Sequence, residues 1–222
     1  MTALPASAAA PVVAVDVAVF TVLDGALHVL LVKLRHGPFA GLWALPGGRV
    51  RVDESLDAAA GRELAAQTGI RDIYLEQLYT FGSPGRDPAG RVVSVAYVAL
   101  IAHGGRFPPR PAGEKYAAAA WRPVRGLPPL AYDHAAVVAT AAGRLRAKLE
   151  YTNLVYTLLP RQFTLGELQE MYETILGKTL DRRNFRKRIL ALRLLRPVGR
   201  VRRGPHRPAA LYAFRHRRPM IL

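Results

Sequence analysis

The sequence predicts an α+β chain, a sandwich of strands around one central helix followed by a small, helix-rich and very basic unit. Three observations carry this prediction. Apolar, β-branched runs recur along the first half of the chain with a single strong helical stretch among them, which is not the alternation of a βαβ fold. The segment Gly47 to Ile70, GGRVRVDESLDAAAGRELAAQTGI, sets glycines, carboxylates and an arginine at intervals that suit a turn leading into a helix. The formal net charge is +16 and unevenly spread. Lys and Arg exceed Asp and Glu by 16 to 12 across residues 1–150 and by 16 to 4 across residues 151–222.

At 222 residues the chain is long for one domain and suits one medium and one small domain, and half its residues are hydrophobic. It has no cysteine, which excludes disulfides, thiolate zinc sites and cysteine nucleophiles and fits a cytoplasmic protein. No uncharged apolar run reaches the roughly 18 residues of a membrane span. The opening MTALPASAAAP lacks the basic start and apolar run of a signal peptide, so residues 1–11 are expected to be a disordered terminus.

The elements are taken in chain order. Val12 to Phe20 is an apolar run read as a buried strand, Asp24-Gly25 is a hairpin signal, and Leu27 to Leu34 is the paired strand. Arg35 to Leu45 is a loop whose Phe39 and Trp43 are read as packing residues. Arg49 to Val52 is a short extended stretch. Ser55 to Thr68 is a helix: Asp53, Glu54 and Asp57 suit the positive end of its dipole, its alanines favour helix, and Gly69 ends it. Ile73 to Phe81, Arg91 to Ala102 and Ala117 to Val124 read as further strands. The loop between the first two of these, Gly82 to Gly90, offers backbone N–H groups and arginines.

The central segment resembles the Nudix hydrolase box. Gly48, Glu54, Arg62, Glu63, Leu64, Gly69 and Ile70 stand at that box's spacing, while its Glu-Glu pair is replaced by Ala66 and Gln67. Positions 63, 66 and 67 share one helical face, where three carboxylates would gather Mg²⁺ against a diphosphate. A methyl and a neutral amide do not replace two anionic ligands of a hard cation. The resemblance implies a Nudix-like α/β/α sandwich with Glu54 and Arg62 as a structural ion pair. Two readings stay open. The domain hydrolyses its ligand using a carboxylate from elsewhere, such as Glu114 or Asp87. Or it binds such a ligand without metal or turnover, with Glu63, Arg49, Arg51, Arg86 and Arg91 as candidate ligand-binding residues. Bidentate guanidinium contacts would then balance the phosphate charge.

Residues 12–127 are thus assigned to the ligand-binding domain, 128–150 to a linker helix and 151–222 to the second domain. Gly126-Leu127-Pro128-Pro129 is a stiff turn, and Asp133 is read as the N-cap of a helix reaching about Lys148. His134 is read as a local hydrogen-bonding residue rather than a catalytic base. Asn153 to Leu159 is a short helix closed by Pro160. Thr164-Leu165-Gly166-Glu167 is a capping box opening a helix with Leu165, Leu168, Met171, Tyr172 and Ile175 on one face, ended by Gly177. Asp181 caps the next helix, to about Leu194, with Phe185, Ile189 and Leu192 buried and Arg183 and Lys187 nearly opposite. That is a helix-turn-helix layout with Arg182, Arg183, Asn184, Arg186 and Lys187 presented outward, and Arg and Asn suit guanine and adenine edges. Leu195 to Val201 and Ala209 to Phe214 read as strands joined by a basic tip holding Arg202, Arg203, His206 and Arg207, the wing of a winged helix.

The joined architecture resembles the Nudix-related transcriptional regulators. Further matches lie in Phe81 to Pro88, Arg91 to Tyr97, Leu130 to His134, Phe163 to Leu168 and Asp181 to Phe185. The resemblance implies a homodimeric DNA-binding repressor of NAD metabolism genes. Its Nudix-like domain would sense ADP-ribose or a related nucleotide and release a double-stranded operator. Other branches of that family answer to sugars. The competing classes are an active hydrolase with a nucleic-acid-binding accessory domain, and a DNA-binding protein whose Nudix-like part is only a scaffold.

Overall fold

A computed structural model describes residues 10–71, 73–102, 111, 114–150, 152–203 and 208–217. The longest strand, β1 (Val12–Leu23), is the centre of a seven-stranded sheet. It turns through Asp24 and Gly25, both at positive φ (47° and 69°), into β2 (Ala26–Leu34). This is the turn that an Asp-Gly pair favours, because its twist matches that of the flanking strands. Two short strands, β3 (Trp43–Ala44) and β4 (Gly47–Arg49), precede helix α1 (Leu56–Thr68), and β5 (Leu75–Phe81), β6 (Val92–Leu100) and β7 (Tyr116–Pro123) come after it. The order across the sheet is β3-β2-β1-β6-β5, with β4 also on β1 and β7 also on β2. β1 and β6 run parallel, Val12 opposite Val92 through Phe20 opposite Leu100; the other pairings are antiparallel.

β1 reads as an apolar run broken in its first nine residues only by Asp16, because both its faces are covered. Side chains alternate across a strand, so Val15, Val17 and Val19 pack with Ala59, Ala60 and Leu64 of α1, and Ala18 and Phe20 face the other way. There they meet Val137, Val138, Ala141 and Leu145 of helix α2 (His134–Lys148). α2 is therefore the second helical layer of the sandwich as well as the connection to the C-terminal unit. Ser55 caps α1, its side chain accepting from the Ala58 N–H, and Gly69 ends it at φ 75°.

A 3₁₀ turn at Leu154–Thr157 leads to β8 (Phe163–Thr164), α3 (Leu165–Leu176), α4 (Arg182–Ala191), β9 (Leu195–Arg202) and β10 (Ala209–Phe214). The strands form a small sheet in the order β8-β10-β9. Thr164 and Glu167 close a reciprocal capping box on α3, and Asp181 caps α4 through the Asn184 N–H. α4 stops short of the predicted Leu194: Arg193 takes a left-handed φ of 52°, which turns Leu194 and Leu195 into the core. Leu168, Tyr172 and Ile175 of α3, with Phe185 and Ile189 of α4, continue the same apolar core that lies under α2. The small unit is consequently docked on the sandwich, and arginines tie the joint. The Arg146 Nε donates to the Ile175 carbonyl (3.1 Å) and the Arg125 Nη2 to the Gly177 carbonyl (3.3 Å), so two cations meet the negative end of α3.

Candidate functional site: a cleft beside the box and a basic helix face

The box is held together from inside. Glu54 accepts from both the Nε (2.8 Å) and the Nη2 (2.5 Å) of Arg62, a fork that holds its carboxyl down at about 2. The Arg62 Nη1 reaches Glu63 Oε1 at 2.5 Å. Gln67, buried one turn on, has a different set of partners. Its amide accepts from the Gly47 N–H (3.1 Å), donates to the Gly47 carbonyl (2.6 Å) and donates to Glu63 Oε2 (2.5 Å). Both oxygens of Glu63 are thereby engaged by neighbouring N–H groups. A Cβ on Gly48 would lie 2.5 Å from the Glu63 carboxyl and one on Gly47 would lie 2.4 Å from the Val15 carbonyl oxygen, so glycine lets the strand run this close to β1 on one side and α1 on the other.

This donor set does not fit a divalent cation. The side chain at position 67 points an N–H, not an oxygen, at Glu63, and Ala66 is exposed with no ligand atom. Among the described residues no three His, Asp or Glu side chains gather as metal ligands. Glu114 and Asp87, the carboxylates considered as substitutes, belong to that same set of described residues.

Beside the box opens a cleft of about 580 Å³. Arg49, Arg51, Lys115, Glu63, Tyr116 and Tyr132 are among its walls. Arg49 is exposed, and its guanidinium has no hydrogen-bond partner among the described residues. Burial, together with the Glu63 charge, keeps the Tyr116 phenol protonated well above its usual range. Tyr132 adopts a left-handed φ of 55° and packs against Phe39, ring centres 4.5 Å apart and planes tilted by 59°. Cations and aromatic rings lining one concave site suit a negatively charged ligand with planar parts.

Two of the arginines proposed from sequence are placed otherwise. Arg91 does not line the cleft: its Nη1 donates to the Gly82 carbonyl (2.7 Å) and clips the loop that precedes β6. Arg86 does line it, but is buried and already paired. Its Nε and Nη2 grip both oxygens of Asp133 (3.0 and 2.7 Å), and Nη2 also reaches Asp16 Oδ2 at 3.0 Å. Asp16 further accepts from the Ser94 hydroxyl (2.6 Å) and meets the His134 Nε2 at 3.2 Å. The His134 Nδ1 accepts the Leu45 N–H (2.9 Å), which leaves the proton on Nε2, facing Asp16. Burial alone would raise the Asp16 carboxyl, yet contacts from His134, Ser94 and Arg86 outweigh it and hold it at about 2. Asp133 stands at the N-cap position of α2, but its side chain makes no capping bond, because Arg86 has taken it.

Sequence reasoning named Arg86 but missed its partner Asp16 and the Ser94 hydroxyl that donates to Asp16, and missed Lys115, Tyr116 and Tyr132. One signal was available for Asp16. A lone carboxylate inside the strand run VVAVDVAVF is a charge that burial requires to be paired.

The second candidate surface lies on α4 and the wing. Arg182, Arg183, Asn184 and Lys187 are exposed and Arg186 is half-buried, while Phe185 and Ile189 face inward. A groove lined by Gly166, Arg182, Arg183, Arg186, Ala209 and Tyr212 runs between α4 and the small sheet. Arg202 is paired with Glu167 of the capping box, which anchors one strand of the wing to α3. Arg203 is exposed. His206 and Arg207 lie outside the described residues.

Comparison with known proteins identifies both domains. The NUDIX domain family matches residues 12–141, and the NrtR DNA-binding winged helix domain matches residues 155–214. The chain is similar to the ADPR responsive transcriptional repressor NtrR of Acinetobacter baylyi, 38% identical over 206 residues that span 92% of this chain and 82% of that one. It is also similar to Shewanella oneidensis NrtR solved with a 27mer DNA, with a TM-score of 0.78 at 37% identity over 91% of this chain and 93% of that one. The NUDIX domain of the same Shewanella protein, solved with ADP ribose, matches 64% of this chain and 94% of its own, with a TM-score of 0.58 at 36% identity. An ADP-ribose pyrophosphatase of Methanocaldococcus jannaschii is 34% identical over 128 residues, 58% of this chain and 71% of that one.

Proposed function

Because this chain belongs to the family that joins a NUDIX domain to an NrtR DNA-binding winged helix, we propose that it is a transcriptional repressor that binds operator DNA and releases it when ADP-ribose occupies the cleft. Its relatives are an ADPR responsive repressor and proteins solved with DNA and with ADP ribose. The observation that carries the reading is the pairing of one surface with the other. A cationic cleft that a diphosphate would fill lies in the same molecule as a helix face of Arg183, Asn184 and Lys187. Arg49, Arg51 and Lys115 hold the diphosphate of the effector, while Arg86 supports the cleft floor. Arg183 and Asn184 read base edges, and Arg182, Lys187 and Arg203 contact phosphates. The protein acts as a homodimer on two half-sites, in the cytoplasm, on genes of NAD metabolism.

We further propose that the cleft binds without hydrolysing. Gln67 holds Glu63 by an N–H where a hydrolase would set a second carboxylate. The pyrophosphatase relative makes the opposite reading testable. With Mg²⁺ present, turnover of ADP-ribose is expected to stay at the uncatalysed background; turnover abolished by Glu63→Gln would establish an enzyme. The regulatory reading is tested by a shift assay on NAD-gene upstream DNA with and without ADP-ribose. Binding that weakens with ADP-ribose supports it, and binding indifferent to ADP-ribose overturns it.

A further inference from the structure

We propose that Arg86 is the residue that transmits cleft occupancy to the DNA-binding unit, by holding Asp133 at the start of α2 while the cleft is empty and yielding it when an anionic ligand arrives. The inference rests on the effector-binding reading of the cleft and deepens it. Three observations carry it.

First, Arg86 belongs to two structures at once. It lines the cleft, and its guanidinium grips both oxygens of Asp133, a residue outside the cleft lining. Its Nη1 makes no hydrogen bond among the described residues, so donors remain for a ligand phosphate.

Second, Asp133 has an alternative. It occupies the N-cap position of α2, where aspartate normally accepts N–H groups of the first turn, and here it makes no such bond. An Asp133 released by Arg86 has those helix donors to turn to. The exchange therefore replaces one satisfied arrangement by another and leaves no carboxylate stranded. Asp16 and His134 keep the rest of the network in place on the far side of Arg86.

Third, α2 reaches the output. Its side chains Val138, Ala141 and Leu145 belong to the core that includes Leu168 and Ile175 of α3. Near its other end Arg146 holds the Ile175 carbonyl (3.1 Å). A change in how the first turn of α2 is anchored is thus delivered to the helix against which α4 packs. A guanidinium that meets a ligand phosphate through its free Nη1 and then turns from the Asp133 carboxylate toward that phosphate supplies the two-state element that allosteric coupling requires.

The test is a thermodynamic cycle on the full-length protein, reading DNA affinity with and without saturating ADP-ribose, and ADP-ribose affinity by calorimetry. In the parent protein ADP-ribose is expected to weaken DNA binding by a factor in the roughly 5- to 150-fold range typical of such coupling. Asp133→Asn keeps the side chain's shape and its position outside the cleft but removes the charge that grips Arg86. It is expected to cut that factor at least threefold while ADP-ribose still binds. Arg86→Lys, which keeps a cation but cannot fork onto a carboxylate, is expected to cut the factor as well, with any loss of ADP-ribose affinity read separately by calorimetry. A folded Asp133→Asn protein that retains the full factor overturns the relay. A parent protein whose DNA binding ignores ADP-ribose overturns the effector reading itself, so the two failures are distinguishable. Arg146→Ala checks the output side: a coupling factor unchanged from the parent would show that α2 does not carry the signal.

Discussion

The cleft and the recognition face are both rich in arginine, and they use it in opposite ways. In the cleft, Arg62 and Arg86 are consumed by carboxylates within the fold: Glu54, Glu63, Asp16 and Asp133 all accept from them. On α4, Arg182, Arg183 and Lys187 are exposed, and acidic residues are absent from the helix itself. A buried ion must be paired or it costs several kcal/mol, whereas an exposed one is left free at little cost. The difference teaches that, among the described residues, Arg49, Arg51 and Lys115 in the cleft and the α4 row outside it meet a phosphate without first leaving a carboxylate, whereas Arg86 is already engaged by two.

That contrast can be broken or sharpened by substitution. The largest effect is expected at the most committed group. Asp16→Asn leaves Arg86 with one carboxylate fewer in a buried site and should lower unfolding free energy by about 3–5 kcal/mol, measured by urea denaturation; a loss under about 1 kcal/mol would show the network to be slack. The same group predicts a pH signature. Its carboxyl is held at about 2 against an ordinary 3.8. Its contribution to stability is therefore complete above pH 3.8 and is lost as the pH falls through about 2, so parent and Asp16→Asn stabilities should converge across that window. Next, Arg183→Ala should cost about 1–3 kcal/mol in specific DNA affinity without moving the urea midpoint. Arg203→Ala should weaken all sequences alike and reduce the salt slope by about one. Equal losses on specific and random DNA for Arg183→Ala would remove its base-reading role. The smallest effect is expected at Thr164→Ala, which deletes half of the capping box and should cost about 1 kcal/mol of stability.

Local chemistry made much of this legible in advance. Asp24-Gly25, Gly69, Thr164, Gly177 and Asp181 each act as turn or cap because a short polar side chain meets the nearby backbone or a missing Cβ permits the left-handed turn. The interval from Glu54 to Arg62 was enough to foresee their ion pair, since the box resembles one in which that pair is structural. Arg91 was misplaced because a positive charge near a loop looks alike whether it faces a cleft or clips a carbonyl. Asp133 was expected to cap its helix, and nothing local indicated that an arginine 47 residues upstream would claim it.

The sequence by itself determined the order of the main helices and strands and most of their caps and turns, that the box lacks two carboxylates, and that the excess charge lies in the last third. Those depend on neighbours within a few positions or on composition. Only the tertiary structure decided which arginines are free. Each guanidinium is committed or available according to what β1, α1 and α2 bring beside it. Asp16, Arg86 and Asp133 are far apart in the chain and meet because the parallel pairing of β1 with β6 and the packing of α2 place them together.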